Sequence, residues 1–355
     1  MKRKKILHIV EAFGGGIFSF LVDLINKTDN EFEIIVAYSK RDQTPENFKS
    51  YFSSKVEFIE IKNFTRSISF TKDMKAFFEV KKIIKKVNPD IIHLHSSKAG
   101  FIGRFAGNGK KTKLMYNPHG FSFLMKNNSR IKRLIYWLIE KLGTIRKCTI
   151  IGCSEGEYKE ALKLSKNSIC IDNGINIENL EKEISNFKEK EIDFKNLKIC
   201  TSGRISYQKN PKFFNKIAES FPNLQFTWIG DGELKQELKS KNITVTGWKT
   251  RKEVLSIVKN NDIFILTSLW EGLPISLLEA MYLEKMCIVT DCIGNRDVIK
   301  NNENGFIIEE NNYKEIIGKL NKEIYIKNSK QAKADILEKF NTERMSEEYK
   351  KEYIR

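Results

Sequence analysis

No two aspartates in this chain stand one residue apart, so the Asp-x-Asp pair that commonly holds a divalent ion is missing. Histidine is scarce, with four residues at 8, 93, 95 and 119, and only His93 and His95 are close in sequence. Neither has a carboxylate or cysteine at ligand spacing, so we expect no metal and no cofactor. The six cysteines (148, 153, 170, 200, 287 and 292) show no two-residue spacing of the zinc or redox kind. Several sit inside apolar runs, which suits reduced, buried thiols. Long hydrophobic runs are also lacking. The most apolar stretches, such as 262–270, break within about nine residues, half of what a membrane span needs. The basic start at 1–5 leads only into a short strand pattern, too brief for the core of a secretion signal. A cytoplasmic chain is the expectation.

What is present is bulk and positive charge. The 355 residues are 41% hydrophobic, enough for two cores, and carry a net charge of +17. The excess is uneven: residues 1–178 hold 32 Lys+Arg against 18 Asp+Glu, and residues 179–355 hold 30 against 27. Between 98 and 147 there are twelve basic residues and one acid, Glu140. Such a segment sets up a strong positive field and points to a polyanionic partner.

Short β-branched runs alternate with helical segments. Residues 5–10, 32–38, 56–61, 90–95, 113–118, 148–153 and 168–172 read as strands, as do 197–201, 224–229, 243–246, 262–267, 286–290 and 305–308. This alternation predicts parallel sheets covered by helices, an α/β chain. The polar, Lys- and Glu-rich stretch 178–196 interrupts it, giving two doubly wound Rossmann-like domains, 1–178 and 179–334, with a ligand cleft expected between them. The final helical segment, 335–355, has no strand after it and is expected to return to the first domain.

Residues 266–281 read Leu-Thr-Ser-Leu-Trp-Glu-Gly-Leu-Pro-Ile-Ser-Leu-Leu-Glu-Ala-Met, a strand end, a turn and a helix start with glutamates at 271 and 279. A helix beginning at Ser276 offers free backbone amides to an anion, with Leu273, Pro274, Ile275 and Ser276 lining the turn. Glu279, in the first turn, places an acceptor for hydroxyl protons beside it. Taken alone, Ser276 and Glu279 also read as a simple capping box. Residues 200–211 read Cys-Thr-Ser-Gly-Arg-Ile-Ser-Tyr-Gln-Lys-Asn-Pro, a glycine turn at Gly203 followed by two cations, Arg204 and Lys209. Fixed cations after a strand can absorb the charge of a departing diphosphate, the work a metal does elsewhere.

These strings resemble the E-x7-E and G-R-x4-K elements of the retaining glycosyltransferase family 4, whose members have two facing Rossmann domains, the GT-B fold. The resemblance implies that Glu271 contacts donor-sugar hydroxyls, Glu279 the ribose, and Arg204 and Lys209 the diphosphate. The strand Asp-Ile-Ile-His-Leu-His at 90–95 is similar to another family element. The turn Gly14-Gly15-Gly16 after the first strand is not G-x-G-x-x-G; in the resembled family it borders donor phosphates and acceptor, which marks Gly15 and Gly16. Tyr-Asn-Pro-His-Gly-Phe-Ser-Phe at 116–123 resembles the branch that builds capsular polysaccharide and O-antigen repeats, with His119 in the position that touches the donor sugar. Weaker matches put Asn173 in an interdomain turn and Gly230 near the base. Trp248 is open between stacking on uracil and anchoring the core.

The resemblance implies transfer from a nucleotide diphosphate sugar, with UDP preferred, to a lipid-linked saccharide on undecaprenyl diphosphate. Transfer would be front-face, with retention and without metal. Residues 130–147 set Ile131, Leu134, Ile135, Leu138, Leu142 and Ile145 on one helical stripe among six cations. We expect this helix to contact anionic lipids at the inner face of the plasma membrane, the alternative being a buried helix with snorkelling lysines. Two other readings differ in class. A sugar-nucleotide epimerase of the same fold would lack the E-x7-E context, and a basic nucleic-acid-binding protein would carry aromatic-plus-basic motifs that are absent, so no specific nucleic acid is expected.

Overall fold

The computed structural model describes residues 3–41, 43–65, 69–109, 111–186 and 191–355. They form two compact units, Met1–Asn173 with Thr342–Arg355, and Gly174–Asn341. The chain therefore divides after Asn173 rather than after 178, and the return segment starts at Thr342 rather than at 335.

In the first unit the strands are β1 (Lys5–Phe13), β2 (Glu33–Lys40), β3 (Glu57–Glu60), β4 (Ile91–His95), β5 (Lys113–Asn117), β6 (Thr149–Gly152) and β7 (Ser168–Cys170). Its helices are α1 (Gly15–Thr28), α2 (Phe70–Val87), α3 (Ser97–Ala106), α4 (Arg130–Gly143) and α5 (Glu155–Leu164). The sheet is parallel, in the order β3-β2-β1-β4-β5-β6-β7. The central strands β1 and β4 are buried along most of their length because helices cover both faces. Every residue of β4 is buried, its two histidines included.

In the second unit α6 (Ile177–Ile184) leads into β8 (Lys198–Ser202), β9 (Gln225–Ile229), β10 (Ile243–Val245), β11 (Ile263–Leu266), β12 (Met286–Thr290) and β13 (Phe306–Ile308). They run parallel in the order β10-β9-β8-β11-β12-β13. Packed on them are α7 (Pro211–Ser220), α8 (Arg251–Lys259), α9 (Ile275–Tyr282), α10 (Asn295–Val298), α11 (Tyr313–Gly318) and α12 (Lys322–Glu338). Each strand expected from the sequence is present, within a few residues at its ends.

The last helix, α13 (Thr342–Ile354), belongs to the first unit. Tyr349 and Tyr353, one turn apart, are fully buried in the same cluster as Phe20, Leu24 and Phe32 of α1 and its following loop. Such a buried aromatic contributes on the order of 3 kcal/mol, which holds the chain end to the sheet.

Both sheets have a strand order that reverses beside their first strand: the chain winds outward from β1 to β3 and from β8 to β10, then resumes on the other side at β4 and β11. At such a switch point the two following loops diverge and leave a crevice at the carboxyl ends of the strands, where open α/β sheets bind ligands.

The glycine turns and charge pairs at the two switch points

At the β8/β11 switch point two glycines let loops nest. Gly203 leaves β8 at φ +138 and Gly230 leaves β9 at φ +141, conformations closed to other residues. A Cβ on Gly230 would stand 2.3 Å from the Gly203 carbonyl oxygen, so only glycine permits this approach. Trp228, buried in the core, donates its indole N–H to that same carbonyl at 2.9 Å.

Lys209 closes the short turn Tyr207–Lys209, and Asn210 caps α7 with its side chain. The hydroxyl of Thr267, just past β11, donates to the Lys209 carbonyl at 2.7 Å, and the amide of Leu269 donates to that of Gln208 at 2.8 Å. Pinned in this way, Lys209 Nζ reaches Glu271 Oε1 at 2.7 Å, while Gln208 Nε2 donates to Glu271 Oε2 at 3.2 Å. Glu271 is buried. Arg204 Nε pairs with Glu233 Oε2 at 2.9 Å, and both side chains are exposed by a third or more. Each of the two cations marked in the sequence thus has a carboxylate partner in the structure.

Helix α9 begins at Ile275, one residue before the expected Ser276, with Pro274 at its N-cap and no side-chain cap. The capping box is not formed. Glu279 instead accepts from Arg251 Nη2 of α8 at 3.0 Å. Burial raises the Glu279 carboxyl above the usual range, Arg251 opposes that shift and Glu183 adds to it. The first amides of α9, at Ile275 and Ser276, lie at the helix start where no carbonyl one turn earlier can take them, and Leu273 precedes the cap. Trp248 is 58% exposed and follows Gly247, which bridges to Gly230. It is therefore not a core anchor.

Three residues of this cluster escaped the sequence reading. Gln208 stood inside the quoted string but carried no motif weight. Arg251 lies in no motif, and only the α8–α9 packing brings it to Glu279. Gly294, at φ +85, is so close to the Glu271–Gly272 turn that a Cβ would stand 2.5 Å from the Gly272 carbonyl oxygen.

At the β1/β4 switch point the chain enters α1 through Gly14, with Gly15 at φ +55 and Gly16 open to space. His119 follows β5, also at positive φ (+52), and the next amide, of Gly120, donates to buried Glu157 at 2.5 Å. His119 Nε2 lies 3.1 Å from His95 Nδ1, and His95 Nε2 lies 3.0 Å from His8 Nδ1. His8, on the neighbouring strand, thus joins the pair that the sequence showed. The ring nitrogens of His8, His93 and His95 come within 4.8 Å of one another. His93 uses both of its nitrogens, toward Tyr353 and Asn117. Burial holds the imidazole of His93 down to about 4 and that of His119 to about 3. Asn173 lies in this first unit, its amide donating to the Cys153 carbonyl at 3.2 Å.

Helix α4 turns Glu140 and Gly143 inward, with Tyr136 and Trp137 packed against the core. Glu140, buried, pairs with Arg104 at 2.7 Å and accepts from the Tyr116 hydroxyl at 2.8 Å. Gly143 leaves room for the Arg104 guanidinium, where a Cβ would meet it at 2.3 Å. Outward stand Ile131 (74% exposed), Leu134 (57%), Ile135, Leu138, Leu142 and Ile145 (72%). The buried-helix alternative for this stripe is excluded. No helix among the described residues is long and apolar enough to cross a membrane.

The family described as Glycosyltransferase Family 4 matches residues 14–179, and that described as Glycosyl transferases group 1 matches residues 182–336. An Escherichia coli UDP-Gal:alpha-D-GlcNAc-diphosphoundecaprenol alpha-1,3-galactosyltransferase is 32% identical over 299 residues, covering 76% of this chain and 75% of the relative. The capsular polysaccharide biosynthesis glycosyltransferase CapM of Staphylococcus aureus is 24% identical, covering 91% of this chain and 88% of the relative. Among solved structures, Anabaena HepE in complex with UDP and glucose superposes with a TM-score of 0.77 at 17% identity, covering 98% of this chain and 99% of that one. The fold and matched families define a glycosyltransferase of the GT-B architecture. The chain belongs to glycosyltransferase family 4.

Proposed function

We propose that this enzyme transfers a hexose or N-acetylhexosamine from a UDP-sugar to a saccharide carried on undecaprenyl diphosphate, in the assembly of capsule, O-antigen or a related surface glycan. The observation that carries the reading is the Lys209–Glu271 pair at the β8/β11 switch point, next to the start of α9. A diphosphate at the α9 amides would meet the positive end of the helix and the ammonium of Lys209 together. Arg204, Gly203 and Gly230 border the same turn, and Trp248 offers an exposed ring for a base. Glu279 and Glu271 are the acceptors for ribose and sugar hydroxyls. The relative's UDP-galactose donor and diphosphoundecaprenol acceptor, and the UDP held by HepE, support uridine and a lipid-linked acceptor.

In the proposed step the bond between the sugar's anomeric carbon and the β-phosphate oxygen breaks. The acceptor oxygen bonds that carbon from the same face, and its proton passes to the departing phosphate, so configuration is retained. Lys209, Arg204 and the α9 amides absorb the phosphate's charge, which makes a metal unnecessary. The enzyme works at the inner face of the plasma membrane, with the apolar stripe of α4 on anionic lipid.

Thermal shift in EDTA with UDP, GDP, ADP and UDP-sugars tests the donor site. UDP should raise the melting temperature by several degrees at a hundredfold excess over Kd. A shift by none of them, or one that appears only with added divalent metal, would overturn the reading. An epimerase would convert a UDP-sugar with no acceptor present.

A further inference from the structure

We propose that His8 and His95 are positioning residues that hold His119 as the neutral tautomer protonated on Nδ1, so that it presents an N–H donor to an uncharged carbohydrate oxygen. The identity of that oxygen rests on the sugar-transfer reading; the tautomer does not.

All four histidines of the chain lie in one array. The rings of His8 and His95 are stacked at 5.3 Å and those of His95 and His119 at 5.4 Å, joined by the nitrogen contacts at 3.0 and 3.1 Å. A neutral imidazole has one donor and one acceptor nitrogen, so a chain of three through the central ring of His95 admits two proton arrangements. In one, His8 Nδ1–H donates to His95 Nε2 and His95 Nδ1–H donates to His119 Nε2, which leaves the proton of His119 on Nδ1. In the other every bond is reversed and the proton of His8 sits on Nε2.

His8 Nε2 decides between them. It is buried and has no hydrogen-bond partner among the described residues. A buried N–H without an acceptor is among the rarest features of folded proteins, more so than an unmet acceptor. The arrangement that leaves His8 Nε2 bare is favoured, and the protons run from His8 toward His119.

His93 cannot reverse this order. Asn117 Oδ1 only accepts, so His93 Nε2, at 2.6 Å, carries the proton, and its Nδ1 accepts from the Tyr353 hydroxyl at 2.8 Å. Asn117 Nδ2 donates in turn to the Tyr349 hydroxyl at 2.7 Å, and because both nitrogens of His93 are engaged outside the chain of three, its own tautomer leaves the order of that chain unchanged. Burial keeps His8 and His95 neutral as well, with their pKa values well below the ordinary 6.5.

His119 is half-buried, its Nδ1 makes no protein hydrogen bond among the described residues, and Phe20 holds its ring edge-on at 4.8 Å. A neutral Nδ1–H suits a hydroxyl or ring oxygen; a bare Nδ1 would instead act as a base.

Two-bond proton–nitrogen correlation spectra of the full chain labelled with [15N]histidine read the tautomers directly. At pH 7.5 we expect Nδ1–H for His8, His95 and His119 and Nε2–H for His93. Nε2–H at His119, or a charged ring there, overturns the proposal, with no substrate needed. The variants separate positioning from packing. His95→Asn keeps an amide N–H where Nδ1 stood and should restore transfer to near the native rate. His95→Gln places its amide toward His8, and should lower kcat by about 10–100-fold with KM for the donor unchanged. Equal losses in both at equal melting temperature would sink the positioning role. If neither variant folds, the wild-type spectra decide. Expected tautomers in a protein that transfers no sugar would refute the proposed function and leave the array standing.

Discussion

Lys209 and Glu271 meet at 2.7 Å from the ends of β8 and β11, strands adjacent in the sheet but more than sixty positions apart along the chain. The pairing orients both groups: the carboxylate fixes the ammonium beside the start of α9, and Gln208 fixes the carboxylate's other oxygen. An incoming diphosphate would compete with Glu271 for Lys209, which leaves Glu271 free for hydroxyl groups.

Lys209→Met should lower kcat about 10²–10³-fold, the usual cost of removing one preorganised stabiliser of developing negative charge. Steady-state kinetics with a UDP-sugar and a lipid-linked acceptor measure it. Turnover within threefold of native would remove Lys209 from the charge-absorbing role.

Gly294→Ala should damage activity from outside every motif. Its Cβ would press on the Gly272 carbonyl, and φ +85 strains any side chain there. We expect a loss of about 1–3 kcal/mol in stability and a larger loss of UDP binding, because the displaced turn carries Glu271. Urea unfolding and calorimetric titration distinguish the two. Native affinity in a destabilised protein would separate the turn from the ligand.

Acid should destabilise the first unit through its histidines. All four have folded pKa values below the unfolded 6.5, near 4 for His93 and near 3 for His119. Below pH 6.5 the unfolded chain binds more protons than the folded one, so stability is full above that value and falls as pH drops toward the folded pKa values. Each ring contributes a slope of up to about 1.4 kcal/mol per pH unit. Melting curves from pH 7.5 to 5 should show it, and His8→Phe should flatten the slope; an unchanged slope would mean that the buried rings are not its source.

The apolar stripe of α4 should bind anionic vesicles without supporting the fold. Leu134→Glu with Leu138→Glu should abolish co-sedimentation with phosphatidylglycerol vesicles and leave the melting temperature within about 2 °C, since both side chains stand outside the core. Retained binding would move the contact elsewhere, and a large fall in melting temperature would contradict the exposed placement.

The sequence by itself determined both sheets, strand by strand, and the family, because alternation of apolar runs and the spacing within Glu271–Glu279 and Gly203–Lys209 are local properties of the chain. It also showed a last helix without a strand of its own. Only the tertiary structure decided which residues share a site. His8 lies within β1, His95 ends β4 and His119 follows β5, strands whose adjacency depends on the sheet order, and Arg251 reaches Glu279 only through packing of one helix on another. For α4, an apolar stripe among cations suited both a buried and an exposed placement, so periodicity left its inward face open. The buried Arg104 settled that face, since its guanidinium requires the carboxylate of Glu140, and the isoleucines and leucines were turned outward.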